Sequence, residues 1–416
     1  MTTLAEIAAA NRDGAPVGIP SWCTAHPETL RAILATYAHD DQPVLIEATC
    51  NQVNQFGGYT GMTPAGFRNF IDILAAGEGV DPTRVILGGD HLGPNPWKNE
   101  PAVKAMEKAK TMVAAYVEAG FSKIHLDASM ACADDIELPA GAKAARAAEL
   151  CAVAEAAAGD RRLSYVIGTE VPIPGGETSG LGSVAVTTPA AAEETFRVHE
   201  DAFVASGLEA ALDKIIGVVV QPGVDFGNAD VLAFDPAAAA ELSATIFDVP
   251  NAVFEAHSTD YQSESALAAL VGSHFGILKV GPELTFAFRE AVVAMAEMEQ
   301  WLSVRRSGIL GIVADEMEHD PADWRNYIAP GDRAEAMRLF GLSDRIRYYW
   351  PRPRVAEALQ RLFANIDANR PEMGLLAQYA PFLLDAAETG TPLSTRIIAA
   401  HLGRVVGKYR RATGTV

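Results

Sequence analysis

The stretch Arg84-Val-Ile-Leu-Gly-Gly-Asp-His91 shows the pattern that decides the fold of this chain: a short apolar run that ends in an acid and an imidazole. The apolar part is continuous rather than alternating, which is typical of a parallel strand covered by helices on both faces. Seven other runs of this kind occur along the chain. In order, the eight predicted strands are Val17–Trp22, Val44–Ala48, Arg84–Leu87, Lys123–Leu126, Leu163–Ile167, Ile215–Val220, Ala252–Ala256 and Ile277–Val280.

A stretch of helical character follows each predicted strand. Several of these stretches open with proline, which is favoured at the first position of a helix because its missing N–H would have no partner there. The predicted helices are Pro27–Ala38, Thr63–Ala76, Pro101–Ala119, Pro139–Ala158, Pro189–Leu212, Pro236–Phe247, Gln262–Val271 and Pro282–Leu302. Eight strand–helix units in order predict an α/β protein of the (β/α)8 TIM-barrel class. The alternative is an open doubly wound sheet, which the count of eight and the lack of GxGxxG after the first strand disfavour.

The chain divides into two regions of different character. Residues 1–302 contain the strand–helix repeat, and residues 303–416 contain charged, aromatic-rich helical segments punctuated by prolines. We therefore expect a barrel over 1–302 and a helical C-terminal extension over 303–416 that packs on it.

Composition restricts the function. The 416 residues include 53 acids against 33 lysines and arginines, a net charge of −20, which argues against a nucleic-acid or anionic-membrane partner. Four cysteines in a chain of this length do not form a disulfide framework. The first residues lack the basic and apolar segments of a signal peptide, and no apolar run of about 18 residues predicts a membrane span. A cytoplasmic protein is expected.

Polar and ionisable residues collect at the ends of the predicted strands, where a (β/α)8 barrel carries its chemistry. A buried strand that ends in an acid or imidazole places a group there that is costly to desolvate. One such end is often a structural ion pair, but several at one mouth indicate an active site. The strand ends are Ser21-Trp-Cys23, Glu47-Ala-Thr-Cys-Asn51, Asp90-His91, His125-Leu-Asp-Ala-Ser129, Gly168-Thr-Glu170, Gln221-Pro-Gly223, Glu255-Ala-His-Ser258 and Lys279-Val-Gly281.

Three of these residues form a plausible set of ligands for a divalent metal. His91, Glu170 and His257 supply imidazole and carboxylate groups, which suit zinc and leave a coordination position open. Alternation along the strand predicts that Asp90 points away from His91, where it would act as a general acid or base. The alternative for each histidine is a hydrogen-bonded core residue.

A polar cluster after the second strand is a candidate substrate site. Glu47, Asn51 and Gln52 precede a glycine-rich loop, residues 55–61, of a kind that closes over a polyhydroxylated ligand. Ordinary turn chemistry is the alternative. A second glycine-rich loop, Pro174–Glu177, is followed by a connection over 178–188 that is a candidate lid.

A phosphate group would need backbone N–H groups at a helix start or a cation. The candidates are Ser258 with its neighbours and Lys279–Gly281. Lys279 is alternatively a Schiff-base lysine, as in metal-free aldolases. Arg345 and Arg347 would approach the mouth from the extension, unless they lie on a solvated helix face.

Several long strings resemble one family. They are Glu47-Ala-Thr-Cys-Asn-Gln-Val-Asn-Gln-Phe-Gly-Gly-Tyr-Thr-Gly-Met62, Gly88-Gly-Asp-His-Leu-Gly-Pro-Asn95, Lys123-Ile-His-Leu-Asp-Ala-Ser-Met130, Gly168-Thr-Glu-Val-Pro-Ile-Pro-Gly-Gly-Glu177, Glu255-Ala-His-Ser-Thr-Asp-Tyr-Gln262 and Leu278-Lys-Val-Gly-Pro282. Together with Leu342–Pro351 they resemble the GatZ/KbaZ family, the non-catalytic Z subunits of class II tagatose-1,6-bisphosphate aldolase. Members are also labelled tagatose 6-phosphate kinase, a label to which the absence of a P-loop motif gives no support.

The strand ends also resemble, more distantly, those of the catalytic class II aldolases. The resemblance implies that Asp90 is the acid/base and that His91 and His257 are metal ligands. The sequence departs from that pattern at Gln221, where the aldolases have a further histidine. Either Glu170 and Gln221 complete a modified metal site, or the metal is lost.

Two functions follow as expectations. The first is a metal-dependent enzyme on ketohexose 6-phosphates, which interconverts D-tagatose 6-phosphate and D-fructose 6-phosphate by 4-epimerisation through retro-aldol and aldol steps. Asp90, with Glu170 and Asp127 as neighbouring acids, would move the proton, and the cofactor would be zinc, with manganese or magnesium as alternatives. The second is a stabilising subunit that binds a catalytic tagatose-bisphosphate aldolase. A homo-oligomer is expected in either case.

Overall fold

Eight parallel strands close into a barrel in the computed structural model, which describes residues 2–169, 184–331, 333–384 and 390–415. The barrel strands are β1 (Ile19–Cys23), β2 (Val44–Thr49), β3 (Val85–Leu92), β4 (Lys123–Leu126), β5 (Ser164–Ile167), β6 (Ile215–Val220), β9 (Val253–Ala256) and β10 (Ile277–Val280); β7 (Asp225–Phe226) and β8 (Val231–Leu232) form a small antiparallel ribbon outside the barrel. Each barrel strand pairs with the next along the chain, and Ser21 of β1 lies opposite Lys279 of β10. The predicted (β/α)8 barrel is confirmed, and the open sheet is wrong.

Helices surround the barrel between the strands. They are α1 (Leu4–Arg12), α2 (Pro27–Thr36), α3 (Pro64–Gly77), α4 (Ala102–Glu118), α5 (Ala140–Ala158), α6 (Pro189–Ala205), α7 (Glu209–Leu212), α8 (Ala240–Thr245), α9 (Glu264–Gly272) and α10 (Pro282–Glu299). Proline occupies the start of α2, α6 and α10, as predicted, and also that of α3, which was predicted to begin at Thr63. Pro101 and Pro139 instead cap α4 and α5 from the preceding position. Within the described part of the chain, no helix combines the length and apolar content needed to cross a bilayer.

Two predicted helices are shorter in the structure. The stretch 189–212 divides into α6 and α7 because Gly207 adopts a φ of +68°, a left-handed conformation that ends a helix. The stretch 236–247 forms only α8 and a following 3-10 turn over Ile246–Asp248.

The N-terminal helix α1 closes the base of the barrel. Its Leu4 and Ile7 are buried in a cluster with Ile216 and Val253, which point inward from β6 and β9. Asn11 donates two hydrogen bonds from its side chain, to the carbonyl oxygens of Val17 and Val271. The opposite, carboxyl end of the strands stays open for a ligand.

The C-terminal extension packs on the barrel. It contains α11 (Ile309–His319), α12 (Ala334–Phe340), α13 (Pro353–Ala368), α14 (Met373–Tyr379) and α15 (Leu393–Ala412). Tyr409 of α15 donates a 2.7 Å hydrogen bond to the carbonyl oxygen of Thr259 and lies edge-on to Trp22, with ring centres 5.7 Å apart. The predicted boundary at residues 302 and 303 falls in the connection between α10 and α11.

Candidate active site

A bulge at the end of β3 brings Asp90 and His91 to the same side. Gly89 lies opposite Ile124 but Leu92 lies opposite Leu126, so β3 contains one residue more than its neighbour between these pairs. His91 absorbs the extra residue with a φ of +50°, a strained conformation for a residue with a Cβ. The Nε2 atom of His91 therefore lies 3.8 Å from Oδ1 of Asp90. The prediction that Asp90 points away from His91 is wrong, because it assumed the alternation of an unbroken strand.

Three imidazoles meet at the carboxyl end of the barrel. The ring centres of His91, His125 and His257 are 5.1, 5.0 and 5.4 Å apart, and all three side chains are buried. Two of them were predicted as metal ligands, but His125 was not assigned a role. The signal for it was present, because His125 lies in the polar end of the fourth predicted strand.

A carboxylate holds one nitrogen of each imidazole. His91 Nδ1 lies 2.7 Å from Asp127 Oδ2, and His125 Nδ1 lies 3.1 Å from Asp90 Oδ1. His257 Nε2 lies 2.9 Å from Glu255 Oε1. Metal-binding histidines characteristically have such a carboxylate on the nitrogen that does not bind the metal.

The second nitrogen of His125 has no hydrogen-bond partner in the part of the chain that the structure describes. Its Nε2 atom is buried and lacks a hydrogen bond among the described residues, which is a costly state for a polar group. Ligand atoms of Asp90, His125, Glu255 and His257 all lie within 4.8 Å of one another. Burial lowers the pKa of His257 to about 4, so its imidazole is neutral, the form that binds metals.

These residues fit a divalent metal. Around one tetrahedral ion with Zn–N bonds of about 2.0–2.1 Å, three imidazole ring centres lie roughly 5 Å apart, which matches the spacing here. His91 is not in the group of converging ligand atoms, so its ring would have to turn to reach the same ion.

The formal charge of the cluster also favours a divalent ion. The four buried carboxylates of the cluster carry a formal −4 and its two lysines +2. Burial would lower the pKa of His91, but Asp90 and Asp127 raise it above its usual value. A divalent ion bound to His91 would therefore replace a proton and neutralise the remaining −2. The charged groups are Glu47, Asp90, Asp127, Glu255, Lys123 and Lys279.

The two buried lysines tie the carboxylates together. Lys123 Nζ lies 2.6 Å from Oε1 of Glu47 and 2.6 Å from Oε2 of Glu255. Lys279 Nζ lies 2.5 Å from Oε2 of Glu47 and 2.5 Å from Oδ1 of Asp90. Both oxygens of Glu47 are thus engaged by ammonium groups, and its side chain is fully buried. The structure corrects the prediction that Glu47 contacts the substrate: it positions the two lysines instead.

Lys279 is not placed as a Schiff-base nucleophile. Burial favours the neutral amine, but Asp90 and the other nearby acids outweigh it and raise the pKa of Lys279 well above its usual value. A Schiff base needs the neutral amine as its nucleophile. That alternative is therefore disfavoured.

The predicted acids have different environments. Burial would raise the pKa of Asp90, but His91, Lys279 and His125 lower it well below its usual range, so the group is a carboxylate. Asp127 is likewise held as a carboxylate by His91 despite its burial. Of the two, only Asp90 lines the cavity, so Asp127 orients His91 and Asp90 is the acid placed to meet a substrate.

A cavity of about 500 Å³ opens above the imidazoles. Asp90, His91, His257 and Lys279 line it. The predicted substrate residues Asn51, Gln52 and Ser258 line it as well, together with Cys23, Tyr59, Lys98, Asp260, Tyr327, Arg347 and Tyr348.

Arg345 does not line this cavity, contrary to prediction. Its guanidinium lies 3.7 Å from the ring centre of Tyr327 and 4.6 Å from that of Tyr348, and its Nε donates to the carbonyl oxygen of Asp323. The cause is the 3-10 turn Arg345–Tyr348, in which residues two apart point in different directions. Arg347 is the arginine that reaches the cavity.

Of the two remaining predicted ligands, Gln221 and Glu170, the structure describes only Gln221. The Oε1 atom of Gln221, the atom that would bind a metal, accepts hydrogen bonds from the backbone N–H groups of Gly223 (2.8 Å) and Val224 (3.0 Å). This turn engages the oxygen, so the structure does not favour Gln221 as a ligand. Glu170, the loop Pro174–Glu177 and residues 178–183 of the predicted lid lie outside the described residues.

Comparisons with known proteins identify relatives over nearly the full length. Residues 4–414 match the family described as D-tagatose-1,6-bisphosphate aldolase subunit GatZ/KbaZ-like. The D-tagatose-1,6-bisphosphate aldolase subunit GatZ of Salmonella typhimurium strain LT2 is 49% identical over 414 residues, which cover 97% of this chain and 98% of the relative. The protein of that name from Klebsiella pneumoniae is 51% identical over 383 residues, 90% of each chain. The crystal structure of a probable tagatose 6 phosphate kinase from Sinorhizobium meliloti 1021 superposes with a TM-score of 0.87 at 43% identity, covering 95% of this chain and 100% of that one.

Proposed function

Because this chain belongs to the GatZ/KbaZ-like family, we propose that it works in the aldol chemistry of phosphorylated ketohexoses. Two roles fit that chemistry. The chain is either an enzyme with its own active site or the subunit of a separate aldolase.

The geometry best supports an enzyme that interconverts D-tagatose 6-phosphate and D-fructose 6-phosphate at C4. The observation that carries this proposal is the set of three carboxylate-held imidazoles, one with a free buried nitrogen, beside Asp90 at the floor of a ligand-sized cavity. Burying these imidazoles and carboxylates lowers the stability of the fold unless they bind a ligand or take part in a reaction. Ionisable groups with perturbed pKa values also cluster at functional sites.

His91, His125 and His257 would hold a divalent ion, with zinc the best match to an imidazole-rich site. When bound there, the ion polarises a carbonyl oxygen and stabilises negative charge that develops next to it.

The chain's own residues account for the proton transfer and the positioning. Asp90, ionised and in the cavity, accepts the proton of the O4 hydroxyl as the C3–C4 bond breaks, and returns it when the bond forms again. If the aldehyde half rotates before the bond re-forms, the configuration at C4 is inverted and no atom is gained or lost. Lys279 keeps Asp90 ionised and in place, and Asn51 and Gln52 supply hydrogen-bonding groups for the hydroxyls.

The second candidate is a stabilising subunit of a tagatose-bisphosphate aldolase. The names of the curated relatives favour it, because they are described as aldolase subunits. In this role the buried cluster would serve stability alone, and the loss of Asp90 would leave function unchanged.

One experiment separates the two roles. The chain is purified alone and incubated with tagatose 6-phosphate, with and without a chelator, and fructose 6-phosphate is measured. For the enzyme we expect chelator-sensitive conversion, which Asp90→Asn lowers by about 100-fold or more while the fold and metal content remain. No conversion with added zinc, manganese or magnesium, combined with a longer half-life of a separately purified tagatose-bisphosphate aldolase in its presence, establishes the subunit role.

A further inference from the structure

The donors at the start of α10, part of the usual phosphate site of a barrel, are already engaged by side chains in this chain. Phosphate groups commonly bind backbone N–H groups at the start of a helix near the last strands. Here the side-chain oxygen Oδ1 of Asp260 accepts hydrogen bonds from the N–H groups of Gly281 (3.0 Å) and Glu283 (2.8 Å) at the start of α10. Lys279, the cation of this region, is paired with Glu47 and Asp90. The predicted phosphate site at Lys279–Gly281 therefore has no free donor for an anion among these groups.

The extension supplies a cation to the same cavity. Arg347 lines it, and its Nη1 donates to the carbonyl oxygens of Ser343 (2.5 Å) and Asp344 (3.1 Å) while its Nη2 donates to the hydroxyl of Tyr348 (3.0 Å). All three acceptors are uncharged. These bonds fix the direction of the guanidinium without neutralising it, and a guanidinium is well matched to phosphate oxygens.

The carboxylate of Asp344 acts on Arg347 electrostatically but is bound by other side chains. The Oδ1 atom of Asp344 lies 2.8 Å from Nη1 of Arg289, and its Oδ2 accepts a 2.6 Å hydrogen bond from Thr285. Within the ranges that the structure describes, Arg347 forms no ion pair with a carboxylate. Its charge is available to a ligand.

A second guanidinium reinforces the positive charge. Arg347 and Arg345 lie 4.5 and 4.6 Å from the ring centre of Tyr348. Burial would raise the pKa of Tyr348, but the two arginines lower it below its usual value. In a chain with a net charge of −20, this is a local positive site at the mouth of the cavity, and such a site attracts anions.

The glycine-rich loop after β2 meets this site. The ring of Tyr59 lies edge-on to that of Tyr348, with ring centres 5.1 Å apart, and both residues line the cavity. The extension and the loop thus form one wall of the cavity, and the imidazoles and Asp90 form its floor.

We propose that Arg347 binds the phosphate group of the substrate, so that the extension anchors a phosphorylated sugar whose carbon chain lies over the imidazoles. This inference rests on the proposed function for the identity of the sugar, because the structure itself shows only an anion site. In this arrangement the extension recognises the phosphorylated end of the sugar, and the barrel carries out the chemistry.

The test measures binding, not turnover. Calorimetric titrations of the full chain compare tagatose 6-phosphate, tagatose and inorganic phosphate for the wild type and for Arg347→Gln, Arg347→Lys and Arg354→Gln. Arg354 is the matched control, because it is an exposed arginine of the extension that pairs with Glu316 and does not line the cavity.

We expect the wild type to bind the phosphorylated sugar more tightly than the free sugar. Arg347→Gln should weaken binding of tagatose 6-phosphate by about 10- to 100-fold and leave binding of tagatose unchanged, since a hydrogen bond to a charged group contributes about 1.5–3 kcal/mol. Arg354→Gln should change either affinity by less than about 3-fold.

Arg347→Lys keeps the charge and guards against a folding defect in the glutamine variant. We expect its affinity for tagatose 6-phosphate to lie between those of the wild type and Arg347→Gln, because lysine cannot reproduce the bidentate geometry. Equal affinity of the folded Arg347→Gln and wild-type proteins for tagatose 6-phosphate would overturn the inference, and so would a wild type that does not prefer the phosphorylated sugar. Arg347-dependent binding in a chain without epimerase activity would support the inference while the enzyme role fails.

Discussion

The Nε2 atom of His257 lies 2.9 Å from Oε1 of Glu255, the residue two positions earlier in the chain. Glu255 is itself held by Lys123, at 2.6 Å from its other oxygen. The buried ion pair therefore fixes which nitrogen of His257 is engaged and leaves Nδ1 for a ligand. The orientation of a candidate metal ligand is thus set by a lysine that belongs to a different strand.

Replacing His125 by alanine should weaken metal binding at the proposed site. Its buried Nε2 is the nitrogen of the cluster without a hydrogen bond among the described residues, so we expect His125→Ala to weaken zinc binding by at least about 100-fold, since the loss of an outer-shell partner alone costs about 10- to 100-fold. The measurement is zinc affinity by competition with a chromogenic chelator.

His199→Ala is the matched control for that variant. His199 is equally buried, but it lies on α6 and its Nδ1 pairs with the carbonyl oxygen of Thr195. Equal zinc affinities of the two variants would show that His125 is not a ligand.

Removing the charge of Lys123 should destabilise the barrel strongly. Lys123→Met leaves Glu255 with a weaker set of partners and one oxygen of Glu47 without its ammonium, and breaking a buried pair in this way costs about 3–5 kcal/mol. We expect a loss of that size in the free energy of unfolding, measured by urea titration of the metal-free protein.

A partly exposed lysine provides the comparison. Lys110 pairs with Glu149 on the protein surface, and we expect Lys110→Met to change stability by no more than about 0.5 kcal/mol. A similarly small loss in Lys123→Met would mean that the buried pairs contribute little to the fold.

Asp260 should make the fold less stable as pH rises. Burial raises the pKa of Asp260 to about 7, whereas in the unfolded chain it is about 3.9. Between these values the folded protein binds a proton that the unfolded chain has lost, so the free energy of unfolding falls as pH increases, by a total on the order of 4 kcal/mol. Asp260→Asn keeps the Oδ1 acceptor for Gly281 and Glu283 but cannot titrate.

The measurement is urea unfolding at pH 4.5, 5.5, 6.5 and 7.5 for both proteins in the presence of a chelator. We expect the stability of Asp260→Asn to rise relative to the wild type across this range. Parallel stability curves would show that Asp260 is ionised in the folded protein at all four values.

Much of this architecture could be predicted from the sequence, because it depends on local patterns. Continuous apolar runs and proline at helix starts identify the strands and helices of the barrel, and the topology of a closed parallel barrel then brings every strand end to one mouth. That is why Asp90, His91 and His257 could be assigned to one site although they are far apart in the chain.

The partners within the site could not be predicted, because they depend on contacts between strands. Nothing near Glu47 in the sequence shows that Lys123 and Lys279 engage both of its oxygens. The bulge that turns Asp90 and His91 to the same side breaks the alternation on which the prediction relied. Arg347 lines the cavity and Arg345 does not because a short 3-10 turn points their side chains in different directions.

Gly88, which precedes Asp90 by two residues, does indicate in the sequence that the space around Glu47 is tightly filled. A Cβ at Gly88 would lie 2.6 Å from Cγ and 2.8 Å from Cδ of Glu47, so any side chain there displaces the glutamate that bridges the two lysines. We expect Gly88→Ala to lower the free energy of unfolding by about 1–3 kcal/mol through overpacking, and to weaken zinc binding because the lysine pairs are disturbed.

Gly77→Ala is the matched control for that change. Gly77 ends α3, and a Cβ there meets nothing within 4 Å, so the substitution should leave zinc binding unchanged and raise stability by about 0.5–1 kcal/mol. Urea unfolding and zinc affinity are measured for both variants. If Gly88→Ala retains the stability and zinc affinity of the wild type, Glu47 can move without loss, and its bridge between Lys123 and Lys279 is not what holds the site in place.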